Sequence, residues 1–159
     1  MKKFKVKSFC KINLYLRVIK KRRTGYHDIS SLISFCSLHD IISISINKFG
    51  GDKISFSGEF KKGINNKKNT ISKTLYILRK RKLLKEKNFI INVQKNIPHG
   101  SGLGGGSANA ANLLKFINSK MQLNLNNKDM RKIANQVGFD VPICLERKNT
   151  LFVGKKNKI

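Results

Sequence analysis

Residues Ile97 to Leu114 read IPHGSGLGGGSANAANLL, a glycine-rich loop that runs directly into a helix-forming segment. Five of the chain's 12 glycines fall within residues 100–106. Glycine allows a ligand to approach the backbone closely, and the first turn of a helix leaves N–H groups free at the positive end of its dipole. The stretch therefore predicts an anion site, for which phosphate is the natural ligand.

Two common phosphate loops fit this stretch poorly. The P-loop pattern requires a lysine after the glycines, and none follows here. Gly100, Gly102 and Gly105 meet the dinucleotide spacing GxGxxG, but QKNIPH separates them from the preceding strand, and the next acidic residue, Asp129, lies at a helix start. A glycine-rich turn without a ligand stays open as an alternative, although the helix from Ser107 anchors the loop at one end.

The composition is strongly basic, with 34 Lys and Arg against 8 Asp and Glu and a formal charge of +26. Such a charge can indicate nucleic-acid binding. Here, however, the lysines are spread along the chain among many Asn and Ile residues, as AT-rich coding bias would produce. The densest run, KKRR at Lys20 to Arg23, is not interleaved with aromatic residues. We therefore do not expect nucleic acid as the main partner, although the charge favours any polyanionic ligand.

The cysteine pattern and the hydropathy pattern both predict a cytoplasmic protein. The three cysteines are widely spaced and form no CxxC pair, so we expect reduced thiols with neither a disulfide framework nor a zinc site. The basic N-terminus carries no apolar signal region, and nowhere do 18 apolar residues run together. We expect no membrane association.

The order of predicted elements indicates an α+β fold in one domain. Residues 4–18 alternate between apolar and polar side chains, which predicts one strand or two in sequence and places Lys11, Asn13 and Tyr15 together opposite the apolar face. Further strands are predicted at 31–38, 41–46, 54–57, 89–93 and 150–153. Helices are predicted after a cap at Asn69 or Thr70, from Ser107, and from Asn126, with Asp129 completing a capping box, to Gly138.

Three stretches together resemble one enzyme superfamily. IPHGSGLGGGSANAA fits the pattern PxxxGLGxGS and resembles the phosphate loop of the GHMP kinases, which include galactokinase, homoserine kinase and mevalonate kinase. CKINLYLRVIKKRRTGYHDISSLISFCSLHD and GFDVPICL resemble signatures of the 4-diphosphocytidyl-2-C-methyl-D-erythritol kinases within it. The three stretches occur in the same order along the chain, and at the same separations, as the corresponding motifs of that family. The resemblance implies a fold like ribosomal protein S5 domain 2, with residues 1–159 forming the N-terminal, ATP-binding domain.

The resemblance also implies roles for individual residues. Asp140 would take the proton from the substrate hydroxyl, with Lys11 as its cationic partner, and Asn13 would help to hold the substrate. Tyr26 and His27 would bind cytidine. Ser107 could also reach Mg²⁺. ATP would be bound by Asn69, Pro98, His99, Gly100, Ser101, Gly102, Leu103, Gly104, Gly105, Gly106, Ser107 and Ala108.

The implied reaction is transfer of the ATP γ-phosphoryl group to the 2-hydroxyl of 4-diphosphocytidyl-2-C-methyl-D-erythritol, with Mg²⁺ as the metal. Two alternatives stay open: another small-molecule GHMP kinase, and a basic, non-catalytic RNA- or ribosome-associated protein of the same fold. The sequence departs from the family at Phe139, where a small residue is usual, and at Ser101, where glycine is usual. The superfamily's C-terminal domain and its glycine-rich motif do not occur in the sequence. A fragment, a truncated gene product and a reduced enzyme stay open as interpretations, as does a second chain that supplies the other half.

Overall fold

The computed structural model describes residues 2–21 and 27–155, except for the side chains at positions 21, 27, 154 and 155. Tyr26 lies outside the described residues, as do Arg22 and Arg23 of the basic KKRR run. His27 is described only as the first residue of a strand. The side chains of the predicted cytidine site therefore lie outside the described part of the chain.

A mixed sheet of five strands forms one layer of the fold. The strands are β1 (Phe4–Lys21), β2 (His27–Asn47), β3 (Lys53–Ser57), β4 (Asn88–Gln94) and β5 (Thr150–Lys155). Their order is β1-β2-β4-β3, and β5 pairs with β2; every pair is antiparallel except β3 with β4. The two strands predicted at 31–38 and 41–46 are one continuous strand, β2. Its first half pairs with β5 and its second half with β4.

The helices pack over this sheet. They are α1 (Thr70–Lys80), α2 (Gly105–Lys120), α3 (Asn127–Val137) and α4 (Val141–Glu146), with a 3₁₀ turn at Glu59–Lys61. Fully buried side chains of the sheet, such as Ile42 and Ile91, share one core with Leu78, Leu114 and Ile133 of the helices. None of the helices in the described residues is long and apolar enough to cross a bilayer.

Capping side chains set the helix ends largely as predicted. Asn69 caps α1 in a reciprocal capping box with Ser72, and Gly138 is the C-cap of α3. Asn126 caps α3 by accepting from the N–H of Asp129 at 2.9 Å. The predicted capping box is wrong in its other half, because the Asp129 carboxylate contacts Lys132 at 3.4 Å instead.

The short helix α4 was not predicted from the sequence. Its start signals were Asp140, a residue type favoured at N-caps, and Pro142 in its first turn, although the Asp140 side chain makes no capping bond to the helix. A six-residue helix also shows too few turns for its periodicity to be recognised.

Irregularities in β1 change which side chains face the helices. The pairing register of β1 with β2 shifts between Phe9 and Lys11 and again between Asn13 and Tyr15. Before the first shift Ser8 faces the helical layer, where it accepts from Asn112 of α2; after it, Lys11 and Asn13 face that same layer. The prediction that these two residues lie opposite the apolar face is therefore wrong. Tyr15 pairs with the outward-facing Leu32 and does not share their face.

Two of the three cysteine side chains are buried, which lowers their reactivity. Cys10 and Cys144 are buried, Cys36 is half-buried, and none of them forms a disulfide with another described residue. Burial is the main cause that raises the pKa of the Cys144 thiol to about 12, and the nearby Asp140 carboxylate adds to it. Cys144 is therefore a neutral thiol at physiological pH.

Candidate active site

A cleft of about 440 Å³ opens between the glycine loop and the start of α1. Gly100, Gly102 and Gly104 in this loop all have positive φ angles, between 67° and 77°, that favour glycine. Gly104 is the N-cap of α2, so the helix begins at Gly105, two residues earlier than predicted. The first-turn N–H groups of residues 105–107 consequently border the cleft with no partner inside the helix. Free N–H groups at a helix start are suited to bind phosphate.

The structure brings most of the predicted ATP residues to this cleft but leaves two away from it. Leu103 and Ala108 do not line it. The Leu103 carbonyl accepts from the backbone N–H of Lys11 at 3.0 Å, and the N–H of the fully buried Ala108 donates to Gly104 at 2.8 Å. The predicted residues that line the cleft are Asn69, Pro98, His99, Gly100, Ser101, Gly102, Gly104, Gly105, Gly106 and Ser107.

The side chains of Asn69 and Ser101 both make hydrogen bonds to nearby backbone groups. The Asn69 amide caps α1 and donates to the carbonyls of residues 65 and 66, both at 2.9 Å, so its donors are already used. Ser101 is not among the residues with positive φ, and its hydroxyl donates to the Pro98 carbonyl at 2.9 Å. Serine therefore fits at position 101 without backbone strain.

Lys11 and Asp140 meet at the end of the cleft. The Lys11 Nζ lies 3.6 Å from Asp140 Oδ2 and donates to Asn13 Oδ1 at 3.2 Å. The Lys11 side chain is 6% exposed and the Asp140 side chain 34%, so the amine is held in place while the carboxylate stays accessible. Asp140 makes no capping bond to α4, and its side chain lines the cleft.

Asp140 lies between two cavities. A smaller cavity, of about 190 Å³, adjoins the cleft, and both Asp140 and Gly102 line the two of them. Its walls combine polar Asn13 and Ser31 with apolar Ile33 and Phe152. Phe139, where the sequence departs from the family, is half exposed and lines neither cavity. A ligand bound in the cleft and a second ligand bound in the smaller cavity would thus both lie beside the Asp140 carboxylate.

A buried cluster beneath the glycine loop was missed from the sequence. Asp40, at the middle of β2, contacts Lys95 and accepts from Asn109 of α2 at 2.8 Å. These three residues are at most 3% exposed. The available signal was the isolated charge of Asp40 within a strand of serine, isoleucine and leucine residues, since a buried carboxylate needs a partner.

Few protein ligands for a metal face the cleft. In the described part of the chain, no three His, Cys, Asp or Glu side chains converge on one point. The Ser107 hydroxyl and the Asp140 carboxylate both line the cleft. Mg²⁺ is usually held by one or two protein oxygens, with phosphate oxygens and waters completing its shell, so the Ser107 hydroxyl in the first turn of α2 fits a nucleotide-bound Mg²⁺.

Gly104 lies directly against the Lys11 side chain. Its φ is +67°, and an added Cβ would lie 2.8 Å from the Lys11 Cγ. We expect Gly104→Ala to destabilise the fold by about 1–2 kcal/mol through left-handed strain and to displace the Lys11 side chain. Gly50→Ala is the matched control, because its φ is +84°, no atom lies within 4 Å of the added Cβ, and it does not line the cleft. Thermal melting should fall in both variants, and by more in Gly104→Ala, whose Cβ also meets the Lys11 side chain; equal losses would contradict the prediction.

Comparison with known proteins places the chain among kinases. Residues 69–148 match the family model described as GHMP kinases N terminal domain. A 4-diphosphocytidyl-2-C-methyl-D-erythritol kinase of Pelagibacter ubique is 49% identical over 141 residues, covering 89% of this chain and 50% of the relative. The kinase of the same name from Caldanaerobacter subterraneus is 36% identical over 157 residues, covering 99% and 53%. The chain spans about half the length of the curated relatives it matches.

Solved structures agree with the sequence comparisons. A crystal structure of 4-(cytidine 5'-diphospho)-2C-methyl-D-erythritol kinase superposes with a TM-score of 0.74 and 26% identity, over 95% of this chain and 53% of that one. Mevalonate kinase from Staphylococcus aureus shares the fold at a TM-score of 0.64 and 15% identity. The region that matches the family model contains the glycine loop and Asp140. The chain belongs to the GHMP kinase family, and it contains that family's N-terminal domain.

Proposed function

We propose that this protein acts in the cytoplasm as the kinase that transfers the ATP γ-phosphoryl group to the 2-hydroxyl of 4-diphosphocytidyl-2-C-methyl-D-erythritol, a step of non-mevalonate isoprenoid biosynthesis. One observation carries the proposal. Asp140 lies between the glycine-lined cleft and the smaller cavity, with the Lys11 amine 3.6 Å from its carboxylate. The names of the relatives from Pelagibacter and Caldanaerobacter support the choice of substrate.

The reaction requires a base, an anion cradle and a nearby cation. Asp140 accepts the proton of the attacking hydroxyl, whose oxygen forms a bond to the γ-phosphorus while the bond from that phosphorus to the bridging oxygen of ADP breaks. The loop N–H groups hold the phosphates in place, and Lys11 offsets negative charge close to the transferring group. Mg²⁺, when bound with the nucleotide, neutralises charge on the phosphate oxygens. Ser107 is the residue best placed to contact it.

The smaller cavity is proposed to receive the hydroxyl-bearing part of the substrate. Asn13 and Ser31 offer polar groups for hydroxyls, while Ile33 and Phe152 form an apolar wall against which a methyl-branched chain can pack. At about 190 Å³ it is too small for the whole cytidyl molecule. Tyr26 and His27 are proposed to bind the cytosine, and the half of the protein present in the longer relatives is proposed to complete the pocket, in the same chain or from a second one.

ATP binding is the first test. A ligand that binds only the folded state stabilises it by about 2.7 kcal/mol at a hundredfold excess over Kd, so ATP with Mg²⁺ should raise the melting temperature clearly. GTP, which offers the same phosphates with a different base, is the control and should give a smaller rise. An unchanged melting temperature with saturating ATP would contradict the proposal.

Turnover tests the substrate. A coupled assay for ADP should respond to the cytidyl substrate and not to homoserine or mevalonate, which other GHMP kinases phosphorylate. The assay uses this chain together with the remainder of the protein, where the coding sequence continues past Ile159. A response to one of the other alcohols would favour a different GHMP kinase instead.

The formal charge of +26 supports a second candidate, a non-catalytic RNA-binding protein of this fold. Binding that neutralises phosphates weakens steeply with salt, because counterions are released. This candidate predicts salt-sensitive binding of a labelled RNA and no effect of ATP on melting. The kinase proposal predicts instead that ATP raises the melting temperature and that the labelled RNA shows no such binding.

A further inference from the structure

The Asp40 carboxylate, which has no assigned role in the reaction, holds the base of the glycine loop together. It is fully buried and meets four donors. Its Oδ1 accepts the backbone N–H groups of Asn96 at 2.8 Å and Ile97 at 2.9 Å. Its Oδ2 accepts from the Lys95 ammonium and from Asn109 Nδ2. Residues 95–97 lead into the loop, and Asn109 lies one helical turn after Gly105, so both ends of the loop are attached to one carboxylate.

We infer that Asp40, Lys95 and Asn109 form a positioning network that sets the geometry of the phosphate-binding loop, and that Asn109 is the residue through which this network controls nucleotide affinity. The inference rests on the proposed function, since it assigns the network to the ATP cleft. None of the three residues needs to touch the transferring phosphoryl group.

Packing around Lys95 shows how the network acts on the first turn of α2. A Cβ added to Gly105 would lie 3.1 Å from the Lys95 Nζ and 3.0 Å from the Ile97 side chain. The start of the helix therefore rests directly on the ammonium and on the segment that leaves β4. The position of Gly105 on Lys95 and Ile97 sets the direction of the free N–H groups of residues 105–107. That direction determines whether these groups can donate to one phosphate at the same time.

The chemistry of Asn109 argues for a role beyond stability. Its Nδ2 donates to Asp40, but its Oδ1 is buried without a hydrogen-bond partner among the described residues. An unpaired buried acceptor costs stability, and an apolar side chain of similar shape would avoid that cost. Asn109 also lines the cleft. Its useful contribution is therefore the bond that ties α2 to the entry of the loop.

The test compares Asn109→Ala with Asn112→Ala. Asn112 lies three residues further along the same helix, is half-buried, and donates to Ser8 and Ala108 instead of to the network. ATP affinity at about 25 °C, measured by calorimetric titration, should weaken about tenfold in Asn109→Ala, because ATP binding must then restore the loop geometry that one hydrogen bond to a buried charge holds in the wild type. It should stay within about twofold in Asn112→Ala.

Further measurements separate positioning from general loss of structure. In Asn109→Ala the KM for ATP should rise while the KM for the cytidyl substrate stays unchanged. Asn109→Asp, which keeps the shape but places a second carboxylate against Asp40, should bind ATP more weakly than Asn109→Ala. A lower melting temperature in Asn109→Ala with unchanged ATP affinity would overturn the inference and leave the proposed function standing. If the wild-type chain does not bind ATP at all, both are overturned.

Discussion

Asp140→Asn is expected to lower turnover by about 10²–10⁴-fold, the usual contribution of a positioned general base. The amide keeps the size of the side chain but cannot accept the proton of the attacking hydroxyl at neutral pH. Asp140 makes no capping bond to α4, so the helix loses no stabilising contact in this variant. Because the variant also removes the counter-charge of Lys11, 3.6 Å away, we expect the melting temperature to fall modestly while its rise with ATP is preserved.

The control for this prediction is Asp129→Asn. Asp129 is a partly exposed carboxylate in the first turn of α3 that contacts only Lys132 in the described salt bridges, at 3.4 Å. Both variants remove one negative charge, so a general electrostatic effect would appear equally in each. Full turnover in Asp140→Asn would show that Asp140 is not the base, and an equal loss in Asp129→Asn would show that net charge matters more than position.

Asp40→Asn is expected to destabilise the fold by about 3–5 kcal/mol, the usual cost of removing one partner from a buried ion pair. The Lys95 ammonium, whose side chain is 4% exposed, would lose its counter-charge. Total stabilities of about 5–15 kcal/mol are typical, so this loss is a large fraction of the total. Urea denaturation followed by circular dichroism measures it directly.

Two further variants show whether burial is the cause. Glu146→Gln breaks an ion pair with Arg131 whose partners are 45% and 46% exposed. It should cost about 0–1 kcal/mol, because water screens surface pairs. The double variant Asp40→Asn with Lys95→Met removes the unpaired charge and should recover part of the stability. A loss below 1 kcal/mol in Asp40→Asn alone would contradict a buried pair.

The elements with strong local signals could be predicted from the sequence. Asn69 caps α1 and Gly138 ends α3, because caps act through hydrogen bonds and backbone angles within a few residues. The glycine loop and its helix followed from the same kind of local chemistry. The length of β2 was missed because the break predicted between 38 and 41 does not exist, and only the pairing with β1, β4 and β5 keeps this strand continuous.

The position of Lys11 shows the limit of periodicity. Alternation in β1 put Lys11 and Asn13 on the outer face, but a register shift beside Lys11 turns them toward the helices, where Lys11 meets Asp140. A bulge depends on how two strands pair, and strand periodicity carries no record of it. The alternation correctly grouped the two residues and assigned them to the wrong side.

From residues alone, the phosphate-loop pattern, the family and the candidate base could be recognised, because each depends on residue types at short spacing. Tertiary structure alone decided that Lys11 and Asp140, far apart in the chain, lie 3.6 Å from each other, and that Asp140 stands between two cavities. It also decided that Asp40, Lys95 and Asn109 converge beneath the loop. The physical reason is the same for Lys11 and for Asp40. A buried charge is costly unless an opposite charge lies beside it, and folding can bring that opposite charge from any distance along the sequence.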